Sequence, residues 1–362
     1  MSRLVEGIES DQMLEEPAFA VFYTCLVLIS DVFSIFFIFT ILTRSTADMK
    51  LYKFVLLKLA IFDLLLNLST ALLVTPDLLC PLPAVAVRSP IGGLSETHAF
   101  ITISLTIAIA ITVFTSINDC CFLRVCIFYQ WNHFLKKIYS WRGALFLVLI
   151  NGTTVGVIVL ALWLAKRTNQ EFLSVVAAEN MSHALGTYAH EPTTVYFYVD
   201  IWKPQVLPLM SSVLAGLAVI YILNLMASRL VWRAIAIRKK NMSFKSYQNH
   251  KQLTLLVLCQ NLVPAVVLSI PLLLVTFSFA MSYESDTFAE TIKHFVTFTV
   301  AIYPALSVVL SFFFIKPYRR FLMTILCTVS IRRFKQTQVS DIRMSKKCSL
   351  GNEESFDSVG YM

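Results

Sequence analysis

Apolar residues along this chain fall into long blocks parted by short polar stretches. Seven blocks have the ~20 residues that a helix needs to cross a bilayer. They run roughly over 18–43, 54–75, 99–124, 143–165, 204–228, 253–280 and 294–315. The second and third are the weakest as apolar signals. One carries Lys58 and Asp63, and the other ends in Asn118, Asp119 and Arg124. No long-period repeat and no low-complexity tract breaks the pattern. The expected fold is an all-α membrane protein, a seven-transmembrane helix bundle over 18–315. Residues 1–17 form an outer N-terminus, 316–327 a short surface helix, and 328–362 a polar tail expected to be disordered.

Composition agrees with a bilayer as solvent. Of 362 residues, 57% are hydrophobic and 14% charged, where soluble domains average nearer a quarter charged. The first 17 residues hold five acids and one Arg, so no cleavable leader is expected, and the first span serves as its own signal.

Loop charge sets the expected orientation. With the N-terminus outside, the inner segments hold four basic residues from Arg44 to Lys58, four from Arg124 to Arg142, seven from Arg229 to Lys251 and nine from Lys316 to Lys347. That is 24 of the 30, and 14 of the 22 acids fall outside. N-out/C-in follows.

The seventh block ends abruptly in "FFFIKPYRRFLM". Lys316 marks the inner face, and Pro317 permits a bend. Beyond it Phe321, Leu322, Ile325 and Leu326 share one helical face, opposite Arg319 and Arg320. Such a helix lies on the inner leaflet with cations toward anionic lipid. A bare stop-transfer signal is the plainer reading. Cys327 closes the segment and is a candidate for palmitoylation.

Of eight cysteines only Cys80 lies near the outer surface, so an outer disulfide is not expected. No Cys/His spacing indicates a metal site. Among the glycosylation sequons, Asn67 and Asn151 lie inside spans and Asn241 on the inner side. Asn180, in the long outer loop, is the plausible acceptor.

Ionisable groups inside a membrane are costly and mark candidate function. Asp63, halfway through the second span, belongs either to an interior polar network that rearranges or to a packing hydrogen bond. Asp31 sits in the first span with no specific role. Arg124, at the inner end of the third span, either gates a cytoplasmic partner or snorkels to the surface. Pro264 and Pro271 in the sixth span and Pro304 in the seventh weaken the backbone ladder and are candidate hinges. The fifth span runs on as "ASRLVWRAIAIRKKN". There Arg229 and Arg233 share a face and, with Lys239 and Lys240, offer a basic docking surface or simply obey the inner-charge rule.

Catalytic signatures such as HExxH, a phosphate-binding Walker loop and GxSxG do not occur, so no enzyme and no cofactor are expected. Nothing indicates nucleic acid as a partner. The seventh span has no interior lysine, which disfavours a retinal-type Schiff base.

Several stretches resemble the nematode serpentine chemoreceptors, a group of G-protein-coupled receptors. "HKQLTLLVLCQNLVPAVVLSIPLLL" is similar to their sixth-helix pattern through Gln252, Leu256, Gln260, Pro264 and Pro271. "AIYPALSVVLSFFFIKPYRRFL" resembles their seventh-helix ending through Tyr303 to Leu306, then Tyr318 and Arg319. "MKLYKFVLLKLAIFDLLLNLSTALLVTPDLLCPLP" resembles their second helix and the turn after it. The likeness covers nearly the whole seven-helix region and points to the Str-type superfamily, in its Srh, Sri or Str class. It implies a plasma-membrane chemosensory receptor, in a sensory neuron, that binds a small-molecule cue in the outer half of the bundle and activates a heterotrimeric G protein. Arg124, Arg229, Arg233, Lys239 and Lys240 would then face the G protein. The chain departs from those relatives where they carry acid–Asn–Arg. Here Phe122 and Leu123 precede Arg124, and Asp119 is the nearest acid upstream. The alternative is a seven-helix transporter or ligand-gated channel without G-protein coupling.

Overall fold

A computed structural model of the chain describes residues 2–45, 50–78, 84–87, 94–138, 140–178, 195–199, 206–239, 243–270, 273–274, 286–325 and 327. Long helices dominate it. The first, α1 (Ser2–Arg44), contains the span Val21–Arg44. Next, α2 (Lys50–Leu68) continues as a π-helical turn, Ser69–Val74. The third span is α3 (Glu96–Phe128). A short α4 (Asn132–Ile138) leads into the fourth span, α5 (Trp141–Ala165). A ten-residue α6 (Asn169–Ala178) lies in the following outer loop, and α7 (Val206–Arg238) is the fifth span. The sixth is α8 (Phe244–Pro264) with a π-helical turn, Ala265–Ser269, and the seventh is α9 (Asp286–Phe314). A last helix, α10, covers 316–325. Among the described residues, six of these helices are long and apolar enough to cross a membrane, and α8 completes the bundle.

The bundle is apolar on the outside as well as within. Phe22, Phe33, Phe39, Phe54, Phe146, Trp163 and Phe313 are all exposed. On a water-soluble surface so large an apolar patch would be an aggregation hazard; facing lipid tails it is the expected outer wall. The fourth span shows this most fully, since among its described residues only Ala165 is buried.

The main core lies toward the end that carries α4 and α10, called the inner end here. It joins α1, α2, α3, α8, α9 and α10 through Phe37, Ile41, Leu56, Leu59, Leu123, Leu256, Tyr303, Phe312, Ile315 and Tyr318. The turn between α4 and α5 needs Gly143. Ser140 caps α5 by accepting from the Gly143 N–H, and a Cβ there would run into the carbonyls of Lys137 and Ile138.

Sequence pattern does not announce one feature, a four-stranded antiparallel sheet in order β1-β2-β4-β3. Its strands are β1 (Pro76–Leu78), β2 (Ala84–Val87), β3 (Lys166–Arg167) and β4 (Val195–Val199). The register pairs Pro76 with Val87, Ala84 with Tyr198 and Lys166 with Val199. One face packs Ala84, Ala86 and Tyr196 against Phe172 and Val176 of α6. The other sets Val87 and Val195 against Val74 and Ala99 at the outer ends of the second and third spans. Glu96 ties the layers together, accepting from the Asn169 N–H at 2.9 Å and pairing with Lys166 at 3.8 Å.

Lys316 follows a break in the helix at Ile315. Pro317 then falls in the first turn of α10, where a missing N–H leaves no bond unmade. Phe321, Leu322 and Ile325 are half-buried while Arg319 and Arg320 are exposed. Phe321 stacks on Phe36, and the Arg44 guanidinium lies 4.5 Å over the Phe321 ring. Tyr318 is fully buried. Its ring meets Phe37 and Phe312 edge-on, and its hydroxyl shares a 2.8 Å hydrogen bond with Ser45. Burial pushes the Tyr318 phenol up, and the Ser45 contact opposes that shift.

Candidate functional site

Buried polar side chains form three groups inside the bundle. The first surrounds Asp63, which is 2% exposed. Its Oδ2 accepts from Ser307 Oγ of α9 at 3.2 Å, while Oδ1 has no partner among the described residues. One turn along α2, Asn67 donates to Asp31 of α1 at 2.8 Å, so the role that sequence left open for Asp31 is a bond between the first two spans. On α9, Ser311 accepts from Gln260 of α8 at 3.3 Å. The two acids and these amides thus link α1, α2, α8 and α9.

The second group joins α3, α7 and α8. Asn224 donates from Nδ2 to Asn118 Oδ1 and, at 2.8 Å, to Asn261 Oδ1. Asn261 donates back to its own helix at Val257 O.

The third group sits at the inner end around Arg124, which is 4% exposed. Its guanidinium stacks 4.5 Å over the ring of Tyr52 on α2. Among the described residues it pairs with no carboxylate, and its Nε lacks a partner. Asp119, the nearest acid upstream, is occupied elsewhere: it takes a 2.8 Å ion pair from Lys58 of α2. His250, at the start of α8, lies against Phe128 at 5.0 Å between centroids. Burial, and then the positive charge of Arg124, pushes its imidazole below its ordinary value.

The sequence candidates are not all gathered here. Arg229 and Arg233 are exposed on the inner end of α7, and Lys239 is exposed with its Nζ 5.6 Å over the Tyr247 ring. Pro264 is buried where α8 passes into its π-helical turn, and Pro304 is buried within α9. Lys316 and Pro317 are half-buried at the start of α10, and Cys327 is exposed just past it. Lys240, Pro271 and Asn180 lie outside the described residues.

Tyr52, Lys58, Asn224, Asn261 and His250 were not singled out as functional from sequence. A lone Asn in the apolar run "VIYILNLMA" is the kind of intramembrane polar residue that sequence can flag. The stacking of Tyr52 on Arg124 depends on how α2 and α3 meet, and no local pattern carries it.

No cluster of His, Cys, Asp or Glu suited to a metal occurs among the described residues. What the arrangement offers is interior hydrogen bonding between helices and a buried cation at one end, the makings of a conformational switch. A comparison with curated proteins gives no match. A family model described as serpentine type 7TM GPCR chemoreceptor Srh matches residues 15–328, most of the chain.

Proposed function

The chain belongs to the Srh family of serpentine seven-transmembrane chemoreceptors, multi-pass proteins of the plasma membrane, and from that premise we propose that it binds a small-molecule cue in the outer half of its bundle and activates a heterotrimeric G protein at its inner end. The observation that carries the reading is Arg124. A buried cation at the inner end of α3 is held by an aromatic face, with no acid paired to it among the described residues. A desolvated cation–π contact of this kind is worth about 2 kcal/mol, which a partner's own contacts to the guanidinium can replace. The cue acts by population shift: it binds better to a state in which α8, hinged near Pro264, swings outward and opens the inner cleft. Arg124, Arg229, Arg233, Lys239 and Lys240 would then meet the G protein.

The test uses the full chain in membranes stripped of nucleotide, with a purified heterotrimer added. The heterotrimer should be retained and should leave on addition of a non-hydrolysable GTP analogue. Arg124→Glu, and separately Arg233→Glu with Lys239→Glu, should each cut retention at least tenfold at equal surface amounts. Equal retention by both variants sinks the assignment of this face.

The orientation, N-out/C-in, rests on the loop charges. A glycosidase mobility shift that disappears in Asn180→Gln is the expected result. A shift that disappears only in Asn241→Gln would invert the chain and turn the search toward ion conductance.

A further inference from the structure

The asparagine group has a position that gives it a task. Gln260 and Asn261 are consecutive on α8, just to the inner side of Pro264. Their side chains point about 100° apart, so they reach different neighbours. Gln260 reaches α9 through Ser311, and Asn261 reaches α7 through Asn224. Asn224 has one NH2 group with two hydrogens, and it uses both, one on α3 and one on α8. Asn224 and Asn261 are both buried. On the other side of Pro264 the backbone ladder is already loosened by the π-helical turn Ala265–Ser269, so a bend in α8 falls there. An outward swing that carries the inner half of α8 away from α7 breaks the bond between Asn224 and Asn261.

We propose that the Asn118–Asn224–Asn261 clasp holds the inner half of α8 against α7, which it ties in turn to α3, and so sets how much of the receptor is open when no cue is bound. Asn224 is a positioning residue: it touches neither cue nor G protein. The inference rests on the receptor reading for its signalling readout, but not for its conformational one.

The experiment has two readouts on the full chain in membranes. One is basal nucleotide exchange on an added heterotrimer. The other is the rate at which a maleimide labels a cysteine introduced by Thr254→Cys, measured as the increment over the native thiols. Thr254 is buried on the inner half of α8 and becomes accessible only if that half moves. An interhelical hydrogen bond in a membrane is worth on average a little under threefold, so losing the one that reaches α8 in Asn224→Leu should raise both readouts roughly threefold. Asn224→Gln keeps the amide and should return both toward the parent values. Should Asn224→Leu fail to reach the surface, Asn261→Leu removes the same bond from the α8 side and should raise both about threefold.

Labelling that rises without any nucleotide exchange leaves the clasp standing and overturns the G-protein reading. Labelling unchanged at normal surface amounts overturns the clasp. So does Asn224→Gln that labels as fast as Asn224→Leu, since that would make shape rather than hydrogen bonding responsible.

Discussion

Asp119→Ala should remove most of the protein from the cell surface. Lys58 lies eight residues into α2 from its inner start, so at ~1.5 Å per residue it is about 12 Å up the helix, within the apolar span. Its ammonium meets Asp119 at 2.8 Å, and each side chain is roughly a quarter to a third exposed (27% and 30%). Removing the acid alone leaves a half-buried cation without its partner, a change that costs about 1–3 kcal/mol. Removing both charges is a different matter. Apolar residues of similar volume often replace a buried ion pair without loss, so Lys58→Met combined with Asp119→Leu should recover most of the lost stability. Surface staining and thermal unfolding in detergent would check both. If Asp119→Ala unfolds at the same temperature as the parent protein, the pair carries no weight in the fold.

The second large effect is expected at Tyr318. Truncation to Ala deletes a fully buried ring that seats α10 against Phe37 and Phe312, and it should cost about 3–5 kcal/mol. Tyr318→Phe keeps the ring and loses only the hydrogen bond to Ser45, worth about 1 kcal/mol. The gap between the two variants in a detergent denaturation series measures the ring itself. Equal losses would mean that the hydroxyl, not the packing, fastens α10.

These two sites also show what could be read beforehand. The sequence "FFFIKPYRRFLM" contains the break at Ile315, the proline in the first turn of α10, and the split between Phe321 and Arg319, because each follows from neighbours a few residues apart. The burial of Tyr318 does not follow, since its partners Phe37 and Ser45 come from α1 and the residue just after it. Asp63 was legible as an intramembrane acid, yet Ser307 as its donor was not, for the same reason. Arg124 stood out at the end of α3. Its missing acid was legible too, but the hold of Lys58 on Asp119 appears only once α2 and α3 are side by side. The outer sheet escaped because its strands have two to five residues, shorter than any period-2 pattern can establish. Among them only "VYFYV" has the aromatic and β-branched character of a strand.

That sheet constrains how the protein can be made. Strand β2 pairs with β4, which arrives only after α3 and α5 have been synthesised and have passed into the membrane. Until then the β4 side of β2 has no strand to pair with, and the outer ends of the second and third spans lack the cover of Val195. The roof over this bundle can therefore close only after four spans have been made, and can do so before the last three are. A nascent chain halted before Val195 would present an unfinished strand edge to the quality-control machinery on that side of the membrane, even with its first four spans in place.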